Sequence, residues 1–230
     1  MLVYFALSLA IIMAVCFIVF QTLGDGILSC ILKLFASVTF VVLGISGFAT
    51  SSSMTYGVSI VGLLMLGGAT FGLVGDGILA LKDIDESRDF INILCGTISF
   101  AIGHIFYYIA LIDYAGFSFI PLAVGAALDC IIIIVSMLGM KLNFGKLLIP
   151  TIIYAFILST TMVQAIYGAI VLHGSVASIL LAIGFVLFLL SDLVLSLIYF
   201  VPKKDKKLVI TNLTLYYLAQ ILIMFAIFFL

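Results

Sequence analysis

Residues 175–207 read SVASILLAIGFVLFLLSDLVLSLIYFVPKKDKK. Positions 175–200 carry a single charge, Asp192, whereas the next seven carry five, four of them lysine. A spanning α-helix needs about 20 apolar residues. An apolar run closed by a lysine cluster is therefore read as a membrane helix that ends at a basic face.

The same pattern recurs along the chain. Apolar runs cover about 1–20, 26–48, 57–81, 90–112, 118–139, 147–171, 175–200 and 208–230. They are continuous rather than alternating, which favours helices over an outer-membrane barrel. The first run begins without a preceding Lys or Arg and has no small-residue cleavage site before polar sequence. It is read as a retained helix rather than a signal peptide. The connectors are short, so the expectation is one domain over 1–230: an all-α, polytopic membrane bundle of eight helices with no extramembrane domain.

Composition agrees. Of the 230 residues, 66% are hydrophobic and only 8% are charged. Soluble domains run nearer half apolar and a quarter charged. A net charge of −1 offers no basic surface for nucleic acid. The four cysteines, Cys16, Cys30, Cys95 and Cys130, all lie inside apolar runs and are read as packing residues, not a disulfide framework.

The basic residues set the expected orientation. Eight of the nine, namely Lys82, Arg88, Lys141, Lys146, Lys203, Lys204, Lys206 and Lys207, fall in the connectors after the third, fifth and seventh runs. Eight helices put those connectors on one side, which the positive-inside rule makes cytoplasmic, with both termini outside.

Ionisable residues in a bilayer centre are costly and mark functional sites by default. The candidates are Lys33, Asp76, His104, Asp129 and Asp192, whereas Asp113 and His173 sit at run ends. At about 1.5 Å per residue, Asp76, Asp192, Lys33, Tyr154, Tyr216, Tyr217 and Gln220 all fall roughly 8–18 Å from the basic side, and His104 lies deeper. Buried polar groups also join helices by hydrogen bonds. A carboxylate pair at matched depth beside a lysine is harder to explain that way. A short similarity reinforces the pair: 75-GDGILAL-81 resembles 191-SDLVLSL-197, and each aspartate precedes a Tyr-Tyr dipeptide, at Tyr107-Tyr108 and Tyr216-Tyr217. Gly75, Gly77 and Ser191 leave room beside the aspartates for a helix or a ligand.

Two carboxyls sharing a dry site do not both ionise, which yields a general acid beside a general base. Such a pair suits acid-catalysed addition of water to an acid-labile bond, and suits proton-coupled transport equally well. No P-loop, zinc-spaced Cys/His cluster or Gly-x-Ser-x-Gly elbow is present. No metal or other cofactor is expected.

These residues resemble the YhhN-like, or lysoplasmalogenase, family of small multi-pass membrane proteins. The resemblance is carried by Lys33, Gly75-Asp76, Gly96 with His104-Ile105-Phe106-Tyr107, Ser191-Asp192, and Tyr216-Tyr217-Leu218-Ala219-Gln220, in order over about 30–225. Leu34 follows Lys33 where the pattern leads one to expect proline. The resemblance implies hydrolysis of the vinyl ether bond of a lysoplasmalogen to a fatty aldehyde and a glycerophospho-base, with Asp76 and Asp192 catalytic. The substrate would be a lysophospholipid drawn from membrane lipids. Lys33 and Lys82 would hold its phosphate. His104, Tyr107, Tyr154, Tyr217 and Gln220 would position the ether or the water. The alternatives are a proton-coupled transporter or lipid-binding protein using the same pair, and a scaffold whose polar layer only sets packing.

The orientation is checked by cysteine-accessibility labelling in intact cells. Cysteines placed beside Lys146 and Lys204 are expected to be protected from an impermeant outside reagent, and ready labelling there would reverse the topology.

Overall fold

A computed structural model of the chain describes residues 1–23, 26–51, 60–81, 88–201 and 205–230. Eight helices in it are long and apolar enough to cross a membrane. They are α1 (Leu2–Leu23), α2 (Ile27–Thr50), α3 (Ile60–Ala80), α4 (Asp89–Ala115), α5 (Phe119–Ile134), α6 (Leu148–Val171), α7 (Val176–Phe200) and α8 (Lys206–Ala226). There is no strand among the described residues. The eight runs of the sequence are thus eight helices, with ends displaced by a few residues, and the chain is a multi-pass membrane protein.

Local chemistry sets the ends. Gly116, at φ 86°, closes α4, and its N–H donates to the Ile112 carbonyl at 2.8 Å. Ser118 then opens α5 by accepting from the Ile120 N–H. At the turn after α6 the chain reverses through His173 and Gly174, at φ 51° and 70°, and Ser175 caps α7 by accepting from the Ser178 N–H. Asp205 caps α8, accepting from the Lys207 N–H at 2.9 Å. The fifth run does not stay α-helical to its end. From Val135 to Gly139 it widens into a π-turn, and the Leu142 N–H reaches back to the Ser136 carbonyl at 3.0 Å.

Packing arranges seven helices in a ring. Following contacts from α1, the order is α2, α3, α4, α6, α7 and α8, and α8 returns to α1. α8 also touches α2 and α3, so it leans into the middle of the ring. It is the most enclosed of the eight helices. α5 stands outside, packed on α6, and is the least enclosed. Connectors after α1, α3, α5 and α7 share one end, the basic end, which carries Arg88, Lys141, Lys146, Lys206 and Lys207. There Lys206 Nζ donates to the Thr22 carbonyl at the end of α1.

Small residues bring α3 and α4 close. A Cβ on Gly68 would lie 2.5 Å from the Tyr107 ring, and one on Gly75 would lie 2.7 Å from the Phe100 ring. Lipid supplies no hydrophobic force between helices, so close backbone approach and polar contacts do this work. Gly77 and Ser191 serve neighbouring helices too. Leu34 of α2 lies 3.2 Å from a Cβ built on Gly77. Asn212 Nδ2 donates to the Ser191 carbonyl at 2.8 Å, tying α8 to α7.

A Cβ on Gly103 would meet the Gly68 carbonyl oxygen at 2.9 Å, and backbone cannot step aside as a side chain can. Gly103→Val is expected to cost about 1–3 kcal/mol, read as a lower Tm of the detergent-solubilised protein. Gly139→Ala, whose nearest new neighbour is Val135 Cγ1 at 3.7 Å, is expected to leave Tm unchanged.

Candidate active site

Asp76 lies one turn before the end of α3 and is buried, at 3% exposure. A carboxylate at this depth needs partners, and the neighbouring helices provide them. Ser37 Oγ of α2 and the Tyr216 hydroxyl of α8 each donate to Asp76 Oδ2 at 2.6 Å. Lys33 Nζ, one turn before Ser37 on the same face of α2, stands 3.7 Å from Asp76 Oδ1. This is the expected lysine, and it is engaged by a carboxylate before any phosphate arrives.

A second layer fixes the first. Gln220 Nε2 donates to the Tyr216 hydroxyl oxygen at 3.2 Å, and Gln220 Oε1 accepts from the Tyr107 hydroxyl at 3.4 Å. The Tyr217 hydroxyl lies 3.3 Å from Ser37 Oγ and donates to the Lys33 carbonyl oxygen at 3.4 Å. Tyr107, Tyr217 and Gln220, expected to touch substrate, are 2%, 2% and 0% exposed and stand behind the site instead of facing it.

Asp192 sits in different surroundings. On α7, it accepts at Oδ2 a short hydrogen bond from the Tyr154 hydroxyl of α6. Its Oδ1 makes no hydrogen bond among the described residues, and no cation lies within salt-bridge distance of it there. The short sequence similarity therefore does not extend to partners. The Tyr-Tyr of α8 serves Asp76 of α3, while Asp192 takes a tyrosine from a helix outside both matched segments.

The two aspartates face one cavity of about 250 Å³, whose wall also includes Lys33, Tyr154 and Tyr216. The wall is mixed, with Phe100, Leu158 and Leu189 on its apolar side. Gln21, Phe144 and Phe200, all beside connectors of the basic end, place the cavity in that half of the bundle.

His104 does not line the cavity. Both ring nitrogens lack a partner among the described residues, and Phe188, Phe185, Tyr107 and Tyr154 enclose the ring, Phe188 nearest at 4.6 Å between centroids. Asp129, buried on α5 one turn before the cavity-lining Ile132 and Ile133, is not itself on the wall, and its Oδ1 has no partner among the described residues. Lys82 lies outside the described residues. Sequence reasoning missed Ser37 and Asn212. For Ser37 a signal was available, since it follows Lys33 by four residues and so shares its helical face.

Lys33 and Asp76 form a pair with side-chain exposures of 15% and 4%. Removing one member of a buried pair strands the other charge, at about 3–5 kcal/mol when fully enclosed. Lys33→Met is expected at the lower end of that range, read as a fall in Tm. Lys33→Met with Asp76→Asn is expected to recover most of the loss, since no charge is then left alone; a double variant that melts below the single one would refute the pairing.

Searches of curated proteins and of solved structures return no match. The model of the YhhN family matches residues 28–227. That span takes in α2 to α8 and every side chain assembled around the cavity except those of α1. On that match the chain belongs to the YhhN family.

Proposed function

We propose that the protein is an integral-membrane hydrolase that opens the vinyl ether bond of a lysoplasmalogen, releasing a fatty aldehyde and a glycerophospho-base. The observation that carries this reading is two carboxyl groups on one mixed polar and apolar cavity, with a lysine at its wall. Family membership and the resemblance in motifs point the same way.

The chemistry asks little more than such a pair. A vinyl ether is attacked by a proton at the β-carbon, and the oxygen lone pair then forms an oxocarbenium ion. One carboxyl supplies that proton and the other faces the cation and takes a proton from the attacking water. The resulting hemiacetal breaks its C–O bond to the glycerol, giving aldehyde and alcohol. At about 30 Å³ per water, the cavity holds roughly eight waters' worth of space. That accommodates the ether and adjoining carbons, with the headgroup toward the basic end and the chain among apolar side chains. Lys33, and Lys82 from its connector, would attract the phosphate. The basic end would face the cytoplasm.

Transport with the same pair is the second reading. Transporters typically build their sites on discontinuous helices. The helices bearing the aspartates, Ile60–Ala80 and Val176–Phe200, run unbroken, which favours the hydrolase.

Purified protein in detergent, given a 1-alkenyl lysophospholipid and assayed for aldehyde, tests the reading. Asp76→Asn and Asp192→Asn are each expected to cut turnover by about 10²-fold or more. The double variant should be little worse than either, because the two act as a unit. Asp192→Asn is expected to leave protein yield unchanged, whereas Asp76→Asn strands the Lys33 charge and is expected to lower Tm. Lys33→Met is expected to raise KM. Near-normal aldehyde release by both asparagine variants would sink the proposal.

A further inference from the structure

We propose that the two aspartates have fixed and different roles: Asp192 delivers the proton, Asp76 is the carboxylate that faces the cation and receives the proton of water, and Gln220 is a positioning residue that holds Asp76 in its role through Tyr216. This rests on the hydrolase reading above and assigns what that reading leaves open.

The charge count gives the first argument. Among the described residues the cavity wall holds two carboxyls and one ammonium, that of Lys33. In a low-dielectric bundle one proton on the carboxyl pair brings the group to neutrality. Lys33 stands 3.7 Å from Asp76 and no cation among the described residues lies within salt-bridge distance of Asp192, so the proton belongs on Asp192.

Hydrogen-bond direction gives a second, independent argument. Every polar group close to Asp76 presents a proton to it: Ser37 and Tyr216 to Oδ2, and the Lys33 ammonium toward Oδ1. These donors are held in that sense from behind. A phenol has one proton, and the Tyr216 oxygen already accepts from Gln220 Nε2, so its own proton points to Asp76. The Gln220 amide cannot be turned round without loss. Its Oε1 accepts from Tyr107, and an amide oxygen turned toward Tyr216 would draw the phenol's proton away from Asp76. Gln220 and Tyr107, 0% and 2% exposed, are shut off from bulk solvent, and at such buried positions an unpaired polar atom is costly. Asp76 is thus an acceptor surrounded by donors.

Asp192 is built the other way. One oxygen takes the Tyr154 proton, and the other is open to the cavity to hold a proton and release it. Among the described residues, the other titratable groups on the cavity wall are Lys33 from α2, Tyr154 from α6, Tyr199 from α7 and Tyr216 from α8, with Tyr217 behind Ser37.

The steps balance. Asp192 Oδ1–H gives its proton to the β-carbon as the C=C electrons form the new C–H bond. Water adds to the α-carbon and loses a proton to Asp76. The glycerol oxygen leaves with the proton from Asp76, and the hemiacetal hydroxyl returns a proton to Asp192 as the aldehyde carbonyl forms. One water is consumed and both side chains regain their starting states.

The test is the pH dependence of residual aldehyde release by folded, monodisperse variants. Asp192→Asn has lost its proton donor, so only hydronium can protonate the ether. Its residual kcat is expected to fall about tenfold for each unit rise in pH. Asp76→Asn retains the donor, and its reduced kcat should lack that slope. Gln220→Met, close in volume, is expected to lower kcat about tenfold with KM within about twofold of wild type. Combining it with Tyr216→Phe should be no worse than Tyr216→Phe alone, because Gln220 acts through that hydroxyl. A hydronium slope in Asp76→Asn and not in Asp192→Asn reverses the assignment; the slope in both or in neither overturns it. Multiplying losses in the double variant overturn the role of Gln220. A wild type that releases no aldehyde rejects the hydrolase itself, an outcome separate from any of these.

Discussion

A carboxylate held within a bilayer must be surrounded by donors, and the arrangement around Asp76 follows from that need. Its partners come from α2 and α8, and the groups that fix those partners come from α4 and again α8. Hydrophobicity sends each run into the membrane but does not choose neighbours there, since lipid tails are as apolar as leucine. The choice falls to close-packed glycines and to polar contacts such as these. The leaning of α8 into the ring is the geometric expression of this need, because Tyr216, Tyr217 and Gln220 reach the Asp76 cluster from there.

The second aspartate lives under a looser rule. Asp192 has a single tyrosine and an open side. Its helix is tied to α8 by Asn212 and Ser191 at the preceding position, so the backbone is fixed even though the carboxyl is not enclosed. A rigid helix carrying a lightly bound acid, opposite a heavily bound carboxylate, is a sensible geometry for moving a proton in one direction.

Much of this was legible in the sequence, for physical reasons. Eight apolar runs with basic residues in alternate connectors gave eight helices, because length and charge placement are local properties. Depth along each helix followed from the rise per residue, which put Asp76, Asp192, Lys33, Tyr154 and Tyr216 at one level, and these five do share a cavity wall. What depth cannot give is rotation. Tyr217 and Gln220 lie at the same level as Tyr216 yet stand behind the wall, and His104 is shut in an aromatic box. Pairings across helices, such as Tyr154 with Asp192, depend on ring order, and the displacement of α5 to the outside breaks any order read from the chain. The internal similarity misled in the same way: like segments occupy unlike surroundings.

The placement of α8 bears on how the protein is made. Ribosomes deliver helices in chain order, so α3 reaches the bilayer while the tyrosines that enclose its aspartate are still unsynthesised. Lys33 and Ser37, on the helix made just before, are the partners available to Asp76 in that interval. Of the contacts around Asp76, those to α2 can form before α8 exists, and those to Tyr216 only once α8 has been made. A nascent chain halted before α8 would carry both acids without the hydroxyls that direct one of them, and would be inserted but chemically unfinished.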